Sequence, residues 1–201
     1  MSKIIVRKLE SPTGNLELVG GLTINDTTSI SYPGRIVQMK HKLYHTRTSW
    51  VNPSSDTGSA ISNVPGLNMT FQCKFSNSLV IIEARIMGDV HHNTIFRYTV
   101  NGNAITTAAY DSYNDDEGAN RWSGLTCAAY DGASNNSSTP GETYVMVYYK
   151  PGNTSNNTYR ITARNGNTGQ NTNYINRCGS SNGQNSYECG VSSIIMYEVE
   201  E

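Results

Sequence analysis

The sequence predicts an all-β protein, an antiparallel β-sandwich of jelly-roll-like build preceded by a short N-terminal pair of strands. Three observations carry this prediction. Asn, Ser and Thr supply 65 of the 201 residues, and their side chains compete for nearby backbone groups, which disfavours helix interiors. Several stretches alternate apolar and polar residues with the period of two that marks a strand. Asn101-Gly102, Pro140-Gly141, Pro151-Gly152 and Asn165-Gly166 punctuate those stretches, and Asn-Gly suits the positive-φ positions of hairpin turns. The 13 Tyr and dense β-branched runs supply core material that a disordered chain lacks.

The elements follow in chain order. Residues 3–8 (KIIVRK) and 15–19 (NLELV) read as short strands joined by the turn SPTG. A pair this small is not stable alone. Its apolar side chains Ile4, Ile5, Val6, Leu9, Leu16 and Leu18 therefore need a partner or a neighbouring copy to pack against. Residues 20–34 are rich in Gly, Thr and Ser and end in Tyr32-Pro33-Gly34, a linker signal. The expected division is residues 1–31 as one segment and residues 32–201 as the sandwich body.

In the body, RIVQMKHKLYH places Val37, Met39, His41 and Leu43 on one face and Gln38, Lys40 and Lys42 on the other. LNMTFQCKF likewise sets Met69, Phe71, Cys73 and Phe75 against Thr70, Gln72 and Lys74. Each pattern predicts a strand with its apolar face dry. SLVIIEARI is nearly continuous in apolar residues and reads as a central strand. TIFRYTV, YVMVYYK, TYRITAR and the closing SSIIMYEV complete about eight strands, enough for a sandwich or jelly roll. Residues 104–139 and 165–188 lack strand periodicity and read as long loops, which are either functional or mobile.

The charge balance narrows the partners. Fifteen basic and 16 acidic side chains leave a net charge of −1. No basic stripe for nucleic acid and no polybasic membrane cluster stands out. Lys3, Arg7, Lys8 and Glu10 interrupt the N-terminus before an apolar run reaches signal-peptide length. No stretch approaches the roughly 20 apolar residues of a membrane span. The expected starting compartment is a cytosol.

Reactive side chains form no catalytic pattern. Nucleophile-elbow, phosphate-loop and zinc-protease motifs are all missing from the sequence, so no catalytic residue, metal or cofactor is predicted. His41 and His45 would lie about 13 Å apart along a strand, too far for joint chelation. Asp111, Asp115, Asp116 and Glu117 read as a solvated loop without the spacing of a calcium loop. Cys73 reads as a small buried hydrophobe. Cys178 and Cys189 flank a loop that a disulfide would close in an oxidising setting. Tyr110, Tyr113, Trp122 and Tyr130 lie among polar loop residues, outside any strand alternation. They are the candidate receptor-contacting residues, because aromatic faces with polar tips suit sugars and protein interfaces. The competing reading is that they cap the ends of the sandwich.

The opening KIIVRKLESPTGNLELVGGLTI resembles the N-terminal segment of phage tail-fibre and related virion fibre proteins. Pro33-Gly34-Arg35-Ile36-Val37-Gln38 resembles the start of the β-sandwich in such proteins, especially from phages of aquatic bacteria, and SSIIMYEVEE looks like their closing strand. The resemblance covers about the first 40 and the last ten residues, with a diffuse likeness between. It implies a non-enzymatic virion structural protein, assembled in the host cytoplasm and commonly a homotrimer. The N-terminal segment would attach to other virion proteins, and the sandwich would face outward, where it can meet a host surface glycan. The alternative is a stand-alone, lectin-like carbohydrate-binding sandwich. No membrane insertion is implied by either.

Overall fold

A computed structural model describes residues 34–53, 61–104, 125–128, 140–166, 169–179 and 189–201. The strands are β1 (Ile36–Tyr44), β2 (Thr48–Asn52), β3 (Ser62–Gln72), β4 (Leu79–Asp89), β5 (Thr94–Val100), β6 (Asn103–Ala104), β7 (Thr126–Cys127), β8 (Gly141–Tyr149), β9 (Asn156–Asn165), β10 (Asn171–Ile175) and β11 (Ser192–Val199). Among the described residues there is no helix. Every strand pairing is antiparallel.

Two sheets result. In the first, which we term sheet A, β1 pairs β11, β11 pairs β4, and β4 pairs β8 along its other edge. β10 continues beside β4 at Asp89 and Gly88, beyond the end of β11, and β2 pairs β10. So β1 with β2, and β10 with β11, each act as one long interrupted strand. The second, sheet B, runs β3–β9–β5, with the short β6 and β7 sharing the outer edge of β5. Counting each interrupted strand once, and β6 with β7 as one edge strand beside β5, gives eight strands, ordered 1-8-3-6 in sheet A and 2-7-4-5 in sheet B. This is jelly-roll connectivity, in which successive strands mostly alternate between sheets.

The interruptions have a single buried fastener. Asn176 stands at φ 60, a left-handed conformation that Asn tolerates better than most residues. Its amide donates to the Tyr44 and Thr46 carbonyls at 2.7 and 3.1 Å. Its Oδ1 accepts from the Ser192 amide and hydroxyl at 2.8 and 2.7 Å. Both donor and both acceptor positions are thereby used, and the end of β10, the end of β1, the link to β2 and the start of β11 are tied together.

The core lies between the sheets. Val80, Ile82, Ala84 and Ile86 of β4 point inward beside Ile194 and Met196 of β11 and Val145 and Val147 of β8. They meet Tyr159, Ile161 and Ala163 of β9, Phe96, Tyr98 and Val100 of β5, and Met69 and Phe71 of β3. Each large side chain so buried contributes about 1.5–3 kcal/mol. β4 is central, as its apolar run predicts. Met69, Phe71 and Cys73 are buried while Thr70, Gln72 and Lys74 are exposed, as their alternation predicts. Asn101 and Gly102 take φ 52 and 83 in the tight turn between β5 and β6.

Three expectations need correction. The apolar face of β1 is not dry: Met39 and Leu43 are 58% and 61% exposed. Its polar face turns toward sheet B instead. There the Gln38 amide and the Lys40 and Lys42 ammoniums donate to the carbonyls of Gln72, Thr70 and Asn68 at 2.6, 2.9 and 3.3 Å. β1 and β3 are edge strands at the open side of the sandwich, so these long polar side chains satisfy backbone groups that no strand covers. Asn165-Gly166 makes no hairpin, because β9 and β10 belong to different sheets. Buried Asn165 instead bonds across its loop to Gly169 and Asn171. Finally, β10 forms within the Asn-rich stretch read as a loop, held by β2 and β4.

Candidate functional site

The outward face of sheet A is built from the residues that alternate with the core. Cross-strand pairing sets them in rows. Met39, Tyr197, Ile81 and Tyr148 form one row across β1, β11, β4 and β8. His41, Ile195, Glu83 and Met146 form the next, then Leu43, Ser193, Arg85 and Tyr144. Ile36, Val199 and Leu79 extend the first row's end. Tyr144 and Tyr148 are 49% and 42% exposed, and Ile36 is 59% exposed. A sandwich sheet with a solvated outer face places polar residues at such positions. Here most are apolar.

The extent of the face follows from strand geometry. Four strands at about 4.8 Å spacing and about nine residues at 3.3 Å outline roughly 600 Å² before side-chain relief is counted. A standard protein interface takes about 800 Å² per partner. Scattered apolar residues on a surface are ordinary, but contiguous patches of this size mark interaction sites.

The charges on this face are engaged within it, one pair by charge and one carboxylate by a hydrogen bond. Arg85 Nε meets Glu142 Oε2 at 2.6 Å, with both side chains about half exposed. Partial burial of its hydroxyl raises the Tyr144 pKa, and the neighbouring Glu83 carboxylate, which accepts its hydrogen bond, adds to the rise. The ionic groups thus sit at one end, neutralised or hydrogen-bonded, and the rest of the face is apolar.

Beneath it lies a buried anion. Burial alone would raise the pKa of Glu198, but four hydrogen bonds to its carboxylate outweigh that and hold it below the ordinary carboxylate value. Oε1 accepts from the Ser78 hydroxyl at 2.6 Å and the Lys74 and Phe75 amides at 2.7 and 3.0 Å. Oε2 accepts from the Gln38 amide at 2.6 Å. The carboxylate joins β11, β1 and the turn between β3 and β4. Burial, and then the Glu198 charge, raise the Cys73 thiol to about 11. Cys73 is thus a buried, unreactive thiol, as expected. All four cysteines are thiols, with Cys178 buried and Cys189 exposed.

Ile4, Ile5, Val6, Leu9, Leu16 and Leu18 lie outside the described residues, as do Tyr110, Tyr113, Trp122 and Tyr130. The segment carrying Tyr110, Tyr113 and Trp122 leaves from β6 and returns at β7, both on the edge of β5. The outward face of sheet A was not among the sequence candidates. Its signal is present all the same: LVII, YVMVYY and SIIMY are apolar at both alternating positions, where a one-sided strand needs only one.

No protein-family model matches this sequence, and no curated protein matches it.

Proposed function

We propose that the chain is a non-enzymatic structural component of a virion, a fibre or appendage protein whose copies associate through the outward face of sheet A. The observation that supports this is the apolar character of that face over a core already closed within one chain. A monomer gains nothing from it, whereas an assembling protein buries it. Further copies suit the face because its charges are few and Arg85 and Glu142 neutralise each other. Three copies can therefore gather their sheet A faces about one axis, each packing on its neighbours, with little like-charge repulsion. In this reading residues 1–31 attach the body to other virion proteins, and sheet B faces outward.

Light scattering after size exclusion tests the association. A mass near three times 22.0 kDa is expected for the full chain, and also for a chain starting at Gly34 if the face alone suffices. A monomer at all concentrations for both would overturn the association. Particle incorporation that survives deletion of residues 1–31 would overturn the attachment.

A further inference from the structure

The described strands of sheet B place mostly polar residues on their outward side, and the charges they carry have one sign. The strands of sheet B carry Arg97, Arg160 and Arg164 and no acidic residue. The strands of sheet A carry Glu83, Asp89, Glu142 and Glu198. Core residues Tyr159 and Ile161 flank Arg160 in β9, so its guanidinium points outward, across from Thr99 of β5. Arg97 and Arg164 are engaged by other groups. Among the described residues nothing hydrogen-bonds or pairs with the Arg160 side chain.

Arg160 lines a depression of about 500 Å³ with Asn63, Thr99, Asn101 and Thr158. Two features shape it. The pairing of β3 with β9 slips between Asn63 and Asn68, and such a bulge bends the strand. On the other side the Asn101-Gly102 turn is pinned to β9. The Asn101 amide donates to the Thr158 carbonyl, the Thr158 amide donates to Asn101 Oδ1, and Asn101 Nδ2 donates to Asn157 Oδ1, each at 2.8 Å. The walls are therefore fixed by backbone and amide bonds, while the Arg160 guanidinium and the exposed Asn63 amide remain available.

We propose that this depression binds an acidic saccharide. The guanidinium fork matches a carboxylate or sulfate oxygen pair. The exposed Asn63 amide offers both donors and acceptors, which is what sugar hydroxyls require. The half-buried Thr158 hydroxyl, which meets Thr70 Oγ1 at 3.3 Å, adds a further polar group. The volume lies in the range of small-ligand sites. The site uses the sheet opposite to the proposed assembly face, so either proposal can fail without the other.

The test is calorimetric titration of the full-length chain with oligosaccharides bearing glucuronate, sialate or sulfate, each beside its uncharged counterpart, and with inorganic sulfate. At least one acidic saccharide binds, its neutral counterpart does not, and added salt weakens the binding. Arg160→Ala lowers the affinity by about tenfold or more, the scale of a charge-assisted hydrogen bond. Arg160→Lys recovers only part, because it keeps the charge and loses the fork. Arg160 is half-buried at the surface, and an unchanged melting temperature verifies the fold. The proposal is overturned by no acidic saccharide binding at millimolar concentration, by binding that Arg160→Ala leaves intact, or by sulfate alone binding as well as the saccharide.

Discussion

The two outward faces of this sandwich differ although the sheets beneath them are built alike. Both sheets send alternate residues into one shared core. On sheet B the remaining positions include Asn68, Thr70, Gln72, Thr158 and Arg160, as in a sheet whose outer face meets water, together with Thr99, Thr162 and Arg164, which are polar but buried. On sheet A they are Met39, Ile81, Met146, Tyr148, Ile195 and Tyr197. The core needs neither set. The difference teaches that stability of the single chain does not explain the composition of sheet A, whereas solvation does explain the exposed positions of β3 and its neighbours in sheet B. The proposed division of labour would account for it, with one face for copies of the chain and the other for what the assembly meets.

The largest expected effect comes from Glu198, which supports both sheets from below. Glu198→Ala leaves the Lys74 and Phe75 amides and the Ser78 hydroxyl without their acceptor. Loss of a buried, hydrogen-bonded charge of this kind costs about 3 kcal/mol or more, readable as a lower urea midpoint. The wild-type chain should show the same linkage through pH. The folded pKa of Glu198 is depressed, so its contribution is complete above the ordinary carboxylate range and is lost as pH falls through the folded value. Glu198→Gln should flatten this acid limb. An acid limb identical to that of the wild type would show that other carboxylates set it.

An intermediate effect separates the faces. Met39→Glu with Tyr148→Glu places two unpaired charges on sheet A, and Thr70→Glu with Gln72→Glu does so on sheet B. Only the sheet A pair should reduce the mass in light scattering to one chain. Each single change should alter the stability of the chain itself by only about 0.5 kcal/mol, the ordinary range for surface substitutions. Equal loss of association from both pairs would dissolve the distinction.

The smallest effect belongs to the exposed Arg85–Glu142 pair. Arg85→Ala should cost about 0–1 kcal/mol in chain stability. Its sharper readout is association: unpaired Glu142 on every copy should make self-association weaker at low salt and recover it at high salt.

Particular elements show how far the residues alone lead. The closing strand SSIIMYEV occupies Ser192–Val199 because its β-branched and aromatic run carries a strong strand signal. Met69, Phe71 and Cys73 could be placed in the core from period two, and Asn101-Gly102 at a turn from the positive φ both residues tolerate. In β1 the same reasoning gave the two faces correctly and their orientation wrongly. Alternation reports that two faces differ, not which one meets the core. Lys40 and Lys42 turn toward sheet B because the open edge of β3 offers carbonyls there, a partner about 30 residues away in sequence. β10 escaped notice because its residues, NTNYI, carry little strand signal of their own. Pairing with β2 and β4 makes it a strand.

The sequence by itself thus determined the class of the fold, the main strands of the described body and most of its core, since these depend on local alternation and turn chemistry. Only the tertiary structure decided the order of strands in the jelly roll, the buried four-bond seat of Glu198 and the contrast between the two outward faces. Each of these depends on which distant residues are brought side by side. A strand apolar at both alternating positions announces that it has two faces to cover, but the fold alone decides which face the chain covers itself and which it leaves for a neighbour.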